Sequence, residues 1–197
     1  LNDIFAMAAH PTAALVYATV PLMAEALMEE ELYQVMAGIT DVLNAHDVPL
    51  VGGHSAEGVE LAVGLTVTGE PGPRTLQKGG AQLGDRVLLT KPVGTGVILA
   101  AAMQGKASPA AIEAVQSSMD LSNAPAARVF NDAGAHAMTD VTGFGLIGHL
   151  GEMLRASGCG VSLNLDHVPL FPQTAGTCGL MLARTDWHTP RIHDGCN

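Results

Sequence analysis

The chain has 197 residues, of which 48% are hydrophobic, 14% charged and 4% aromatic, and its formal net charge is −10. A chain of this length and apolar content can bury a core as one large domain or two small ones. The acidic balance and the scarcity of aromatic rings argue against binding to nucleic acid, whose phosphates repel an acidic surface. An acidic protein still binds nucleotide when Mg²⁺ bridges its carboxylates to the phosphates.

The cysteines and the hydropathy of the sequence indicate in which cellular compartment the chain is expected. Cys159, Cys178 and Cys196 form neither a CxxC pair nor a disulfide framework, so a reduced cytoplasmic compartment is expected. No apolar run is long enough to span a bilayer, and no signal-peptide pattern with a basic head occurs. The chain opens at Leu1 rather than Met and closes at Asn197 in a polar, unpatterned tail, which is typical of a fragment or a domain of a longer protein.

The first half of the chain predicts two helices and three strands. His10-Pro11 closes the first helix, because a residue before proline avoids the helical region. Apolar residues at helical spacing predict a long second helix, whose acidic run at residues 29–31 is expected on the solvated face. The predicted elements are a helix over residues 1–9, a strand over 13–20, a helix over 21–45, and strands over 48–55 and 61–69.

The second half of the chain predicts helices with clear start signals. Pro71 and Pro73 flank a glycine and interrupt regular structure, so we place a domain junction at about residues 72–80. Ser108 and Asn123 stand where a helix N-cap precedes proline. The predicted elements are strands over residues 85–90 and 158–165 and helices over 97–104, 108–119, 124–134 and 146–155. This succession indicates an α/β or α+β fold.

Two glycine-containing segments follow predicted apolar strands. Gly52-Gly53-His54-Ser55 offers bare backbone and two polar side chains to a ligand, although most Gly-Gly pairs form turns. The Gly94-Thr95-Gly96 segment stands at a strand–helix junction but lacks the third glycine of a dinucleotide-binding fingerprint. Neither segment is sufficient by itself to predict a ligand-binding site.

The stretch over residues 137–150 carries the strongest candidate site. Asp140 precedes three glycines and the start of a predicted helix. This order places a carboxylate and bare backbone N–H groups around one small volume, which suits a hydrated divalent cation beside phosphate oxygens. A tight turn, in which Asp140 caps the helix and the glycines supply positive φ, explains the same residues. Both interpretations stay open on this stretch alone.

Five segments occur in one order and at compatible spacing: NDIFAMAAHP (residues 2–11), VPLVGGHSAE (48–57), GLTVTGE (64–70), GDRVLLTKPVGTGV (84–97) and AMTDVTGFGLIGHLGEMLRASG (137–158). Together they closely resemble the selenophosphate synthetase (selenide, water dikinase) family of the aminoimidazole ribonucleotide synthetase-like superfamily. The resemblance implies a two-domain α/β (α+β) architecture. Residues 1–75 would be the later part of an N-terminal ATP-binding and dimerisation domain, and residues 76–197 a C-terminal domain that is divergent or shortened after residue 170.

The resemblance also implies a reaction and its site residues. In the family, ATP, selenide and water give selenophosphate, AMP and inorganic phosphate. Asp3 would bind Mg²⁺ and nucleotide phosphate, and Asp140 would be a further metal ligand. Gly53, His54 and Ser55 would contact ATP held by the neighbouring subunit of a homodimer. Carboxylates suit this role because Mg²⁺ prefers hard oxygen ligands, so the expected cofactor is Mg²⁺ and the expected partners are ATP and selenide, without nucleic acid or membrane.

The sequence also departs from the family pattern. The family's reactive cysteine or selenocysteine and its lysine lie upstream of the segment that matches Asp3, so no catalytic residue is identifiable and the chain alone is expected to be an incomplete enzyme. Cys159 is expected to be a buried thiol. Two alternatives stay open: another small-molecule kinase or ATP-dependent synthetase of the superfamily, and a catalytically degenerate dimerisation domain fused to another enzyme.

Overall fold

The computed structural model describes residues 1–174, in which six helices and three strands are formed. The helices are α1 (Asn2–Phe5), α2 (Glu25–Asn44), α3 (Thr95–Met103), α4 (Pro109–Asp120), α5 (Ala124–Asp132) and α6 (Gly145–Ser157). The strands are β1 (His10–Pro21), β2 (Leu50–Gly58) and β3 (Ala62–Glu70). This mixture confirms the predicted α/β (α+β) class. Of the helices within residues 1–174, none combines the length and the apolar character that crossing a bilayer requires.

The three strands form one sheet in the order β2-β1-β3. The central strand β1 runs parallel to β2 and antiparallel to β3. Parallel neighbours need a crossover connection, and α2 supplies it between β1 and β2. The strand β1 is longer than predicted and includes Pro11, which is tolerated beside a register shift between Pro11 and Ala13.

One face of this sheet is packed and the other is open. From Ala14 onward every second residue of β1 is buried, namely Ala14, Val16, Ala18 and Val20. Ala14 packs with Leu43 of α2 and with Val48 in one apolar cluster. The alternating residues Leu15 and Tyr17 are 46% and 49% exposed. Because successive strand side chains point to opposite faces, one face of β1 is packed, with α2 against it at Ala14, and the other face is uncovered.

The described chain divides into two compact units. The first comprises residues 1–83, 123–140 and 151–159, and the second comprises residues 84–122, 141–150 and the described residues that follow 159. A second apolar cluster of the first unit contains Phe5, Ala124 and Ala127, with Leu1 and Met138 packed against it. The domain junction predicted at about residues 72–80 stays a prediction.

The core of the second unit lies between α3 and α4. Ile98 and Val115 are fully buried there, together with Ala111 and Phe171. Ser108 caps α4 as predicted, since its Oγ accepts a hydrogen bond of 3.2 Å from the backbone N–H of Ala111. Beyond the other end of α4, the Nζ of Lys91 donates to the carbonyl of Leu121. Burial lowers the pKa of Lys91 from its ordinary value.

Two of the strand predictions were wrong. Residues 85–90 and 158–165 carry apolar patterns but are irregular, apart from the start of a short 3-10 turn at Leu165–His167. The described part of the second unit contains one isolated bridge, between Val93 and Leu170. An apolar run becomes a strand only when it pairs with another strand, and within residues 1–174 the sheet consists of β1, β2 and β3 alone.

Candidate functional site

Asp3 lies on α1, a helix of four residues, and its side chain is exposed. A helix this short is not stable by itself, so packing must hold it. Phe5, on the same helix, is buried against α5. Asn2 adds a polar contact, because its Oδ1 accepts a hydrogen bond of 3.0 Å from the backbone N–H of Asn123. These contacts fix α1 on the first unit while Asp3 remains at the surface.

Asp140 lies in an irregular segment between α5 and α6 and is half-buried. The backbone N–H of Met138 donates to the carbonyl of Gln77 over 3.0 Å. The Oγ1 of Thr139 donates to the carbonyl of Asp140 over 3.2 Å. The segment that carries the carboxylate is therefore held by one hydrogen bond to a distant part of the chain, by one local hydrogen bond and by the packing of Met138.

Close sequence neighbours of Asp3 and Asp140 pack in the same apolar cluster of the first unit. Leu1 and Phe5 lie two residues on either side of Asp3, Met138 lies two residues before Asp140, and all three pack in that cluster. Carboxylate oxygens are the ligands that Mg²⁺ prefers, and its remaining coordination positions are usually filled by water and substrate phosphate. The donor chemistry of the two side chains thus fits Mg²⁺. Their assignment as metal ligands stays a prediction.

A self-sufficient metal site is not formed by the described side chains. Within residues 1–174, no group of three or more histidine, cysteine, aspartate or glutamate side chains could hold a metal ion. A magnesium ion at Asp3 and Asp140 would therefore depend on oxygens from water or from a bound ligand. That dependence is typical of ions that enter with a nucleotide.

Gly53, His54 and Ser55 lie within β2 and pair with consecutive residues of β1. A Cβ on Gly53 would stand 2.1 Å from the carbonyl oxygen of Val16, so glycine permits the close approach of the two strands. Because strand side chains alternate, His54 points to the opposite face from Gly53 and Ser55. The structure does not bring the three residues to one face, and their contacts with ATP stay a prediction.

The side chain of His54 lies on the uncovered face of the sheet. Its ring is stacked beside that of Tyr17, with centroids 6.2 Å apart and planes inclined by 25°. Gly64 of β3 pairs with Tyr17 on the other side, and a Cβ on Gly64 would meet no atom within 4 Å. This free space belongs to an open depression of about 250 Å³ lined by Leu15, Val16, Tyr17, Gly64, Leu65 and Thr66. We call the surface formed by Leu15, Tyr17, His54 and Thr66 the open sheet face.

The glycine-rich segment after Asp140 belongs to the second unit and surrounds a buried histidine. The Oγ1 of Thr142 lies 3.1 Å from the Nε2 of His149, whose side chain is buried. The ring of Phe144 lies 5.8 Å from the same imidazole. Gly145 begins α6 with φ of +65°, a conformation that favours glycine. The sequence pattern explains this glycine but gives no sign of the buried His149.

The chain belongs to the AIR synthase related protein family. The N-terminal domain of that family matches residues 1–70, and its C-terminal domain matches residues 82–185. Both matches agree with the superfamily inferred from the motifs at Asp3 and Asp140.

Within this family, the chain is similar to curated selenide, water dikinases, which confirms the resemblance found in the sequence. The protein from Pelobacter propionicus is 42% identical over 174 residues, which are 88% of this chain and 49% of that protein. The protein from Trichlorobacter lovleyi is 44% identical over 173 residues, which are 87% of this chain and 49% of that protein. The chain thus spans about half the length of these curated relatives.

Solved structures with the same fold include two other kinds of protein. Thiamine-monophosphate kinase from Stenotrophomonas maltophilia has a TM-score of 0.75 at 24% identity, over 87% of this chain and 55% of that one. The hydrogenase maturation protein HypE of E. coli has a TM-score of 0.75 at 18% identity, over 91% of this chain and 56% of that one. At these identities the likeness establishes the fold.

Proposed function

We propose that this chain supplies the nucleotide- and magnesium-binding part of a phosphotransferase that makes selenophosphate. The proposed reaction converts ATP, selenide and water into selenophosphate, AMP and inorganic phosphate. The names of the curated relatives support this choice of reaction. The observation that carries the site is that residues two positions from Asp3 and from Asp140 pack in one apolar cluster.

Charge explains why this site would need magnesium. Two carboxylates on a chain of net charge −10 repel a triphosphate, and a divalent cation between them removes that repulsion. Phosphoryl transfer depends chiefly on such charge neutralisation and on positioning. Structural neighbours support nucleotide binding by this fold, since AaThiL was solved with AMPPCP and TMP at a TM-score of 0.72 and HypE with ATP at 0.69.

The open sheet face supports a homodimer. Leu15 and Tyr17 leave nearly half of their side-chain area exposed on a sheet that has one uncovered face. Exposed apolar patches of this kind commonly mark protein interfaces. We assign this face to a second copy of the chain and His54 to the ATP site of that copy. The roles of Gly53 and Ser55 in the same site rest on the family motif alone.

Isothermal titration calorimetry of ATP against wild type and Asp140→Asn tests the proposal. In Mg²⁺, the variant should bind ATP at least about tenfold more weakly, because a charged metal ligand is lost. In EDTA, wild type should fall to the affinity of the variant. Asp41→Asn is the matched control, since this exposed carboxylate of α2 lies outside the cluster. Equal, magnesium-dependent affinity in wild type and Asp140→Asn would remove Asp140 from the site.

The reaction itself requires product analysis. Phosphorus NMR separates AMP plus orthophosphate from ADP plus a phosphorylated small molecule, which a kinase of the same superfamily would produce. A dimerisation domain without catalysis would form dimers, yet ATP would leave its melting temperature unchanged. Either result would replace selenophosphate synthesis as the function.

A further inference from the structure

The side chain of Asn2 completes the N-terminus of a helix that is remote in sequence. Its Oδ1 accepts the backbone N–H of Asn123, the N-cap residue of α5, across 121 positions of the chain. In a capping box, a Glu or Gln at the third helical position reaches back to this N–H. In α5 that position is Ala126, which has no acceptor. Asn2 therefore provides from α1 the contact that α5 lacks.

The same hydrogen bond restrains the helix that carries Asp3. Apolar packing of Phe5 holds α1 against α5 but is non-directional, and just beyond α1 the carbonyl of Met7 accepts a hydrogen bond of 3.0 Å from the backbone N–H of Leu76. The bond from Asn123 to Asn2 adds a directional restraint at the start of α1. Because Asp3 follows Asn2 directly, this bond restrains the backbone next to the Asp3 carboxylate.

We infer that Asn2 is a positioning residue for the magnesium–nucleotide site. It ties the helix of Asp3 to α5, and the segment leading to Asp140 returns through Met138 to the cluster that α1 and α5 share. The inference rests on the proposed roles of Asp3 and Asp140. It assigns to Asn2 no contact with metal or nucleotide.

Calorimetry of ATP in Mg²⁺ and in EDTA tests the inference with substitutions at Asn2. Asn2→Leu keeps a similar volume without an acceptor, and ATP affinity in Mg²⁺ should fall about three- to tenfold, with the affinity in EDTA unchanged. Asn2→Asp keeps an acceptor oxygen and should stay within about twofold of wild type. Asn44→Leu, an exposed asparagine at the end of α2, should bind as wild type does.

A second variant separates positioning from stability. In Asn2→Leu/Ala126→Gln, a glutamine on α5 itself can reach the N–H of Asn123, so the urea midpoint should recover while the magnesium-dependent affinity does not. If the urea midpoint and the magnesium-dependent ATP affinity both recover, Asn2 acts only by capping α5, and the inference is overturned. Wild-type affinity in Asn2→Leu would also overturn it, provided that Asp140→Asn is weakened. If neither variant changes magnesium-dependent binding, the proposed function fails instead.

Discussion

His54 and Tyr17 lie directly opposite each other on β2 and β1, with ring centroids 6.2 Å apart, on a face of the sheet that no other element covers in the described chain. Stacked rings of this kind contribute about 0.5–1.5 kcal/mol beyond the area they bury. Tyr17 nevertheless leaves 49% of its side chain exposed. A partner surface seated on this face would bury the exposed part of this ring.

Tyr17→Glu should therefore dissociate the proposed dimer. A carboxylate in the middle of an apolar interface must be desolvated without a partner, so we expect the dissociation constant to rise about 100-fold or more, or about 2.7 kcal/mol. Sedimentation velocity over a range of concentrations measures the change. Tyr33→Glu is the matched control, because Tyr33 is 67% exposed on α2. A dimer that withstands Tyr17→Glu with unchanged affinity would contradict the assignment of the open sheet face.

Gly53→Ala should lower the free energy of unfolding, whereas Gly64→Ala should leave it unchanged or raise it. The new methyl group at position 53 would meet the carbonyl of Val16 at 2.1 Å, which forces β1 and β2 apart and should cost about 2 kcal/mol or more. At position 64 it meets nothing within 4 Å, so the change should be neutral or stabilising by up to about 1 kcal/mol. Urea denaturation monitored by circular dichroism measures both. Equal midpoints would show that the strands relax at no cost.

Serine-to-alanine substitutions at the start and in the interior of α4 should change the free energy of unfolding in opposite directions. Ser108→Ala removes the acceptor of the Ala111 N–H and should lower the free energy of unfolding by about 1 kcal/mol. Ser117→Ala, at an exposed interior position, should raise it by up to about 0.5 kcal/mol, because alanine is the better helix former. Thermal denaturation of the two variants side by side provides the measurement. A loss at both positions would argue against capping as the cause.

The local signals in the sequence predicted all six helices, because caps and apolar spacing are encoded within each segment. Ser108 with Pro109 marks the start of α4 within one residue of the structure. The first helix is shorter than the predicted range and ends at Phe5. The strands of the first unit were also predicted, whereas residues 85–90 were not strand, since pairing depends on a neighbour that a linear pattern does not show.

The candidate site was predictable only in part, because some of its contacts join residues that are distant in the sequence. Asp140 was named from its position before three glycines and Asp3 from a family motif, and their pairing at one metal ion stays a prediction. Asn2 and Tyr17 carried no signal of their own. The contact of Asn2 spans 121 positions, and the stacking of Tyr17 depends on the register between β1 and β2. Both are tertiary properties, which no local pattern encodes.

The first unit consists of three separate stretches of the chain, so it cannot fold completely until the last of them has been synthesised. Asn2 must await Asn123, which is made 121 residues later. At about 5–20 residues per second, that delay is roughly 6–24 s. Throughout that interval the buried side of α1, including Phe5, has no partner from α5 and is available to chaperones. The beginning of this chain is thus among the last parts of its own unit to reach the native arrangement.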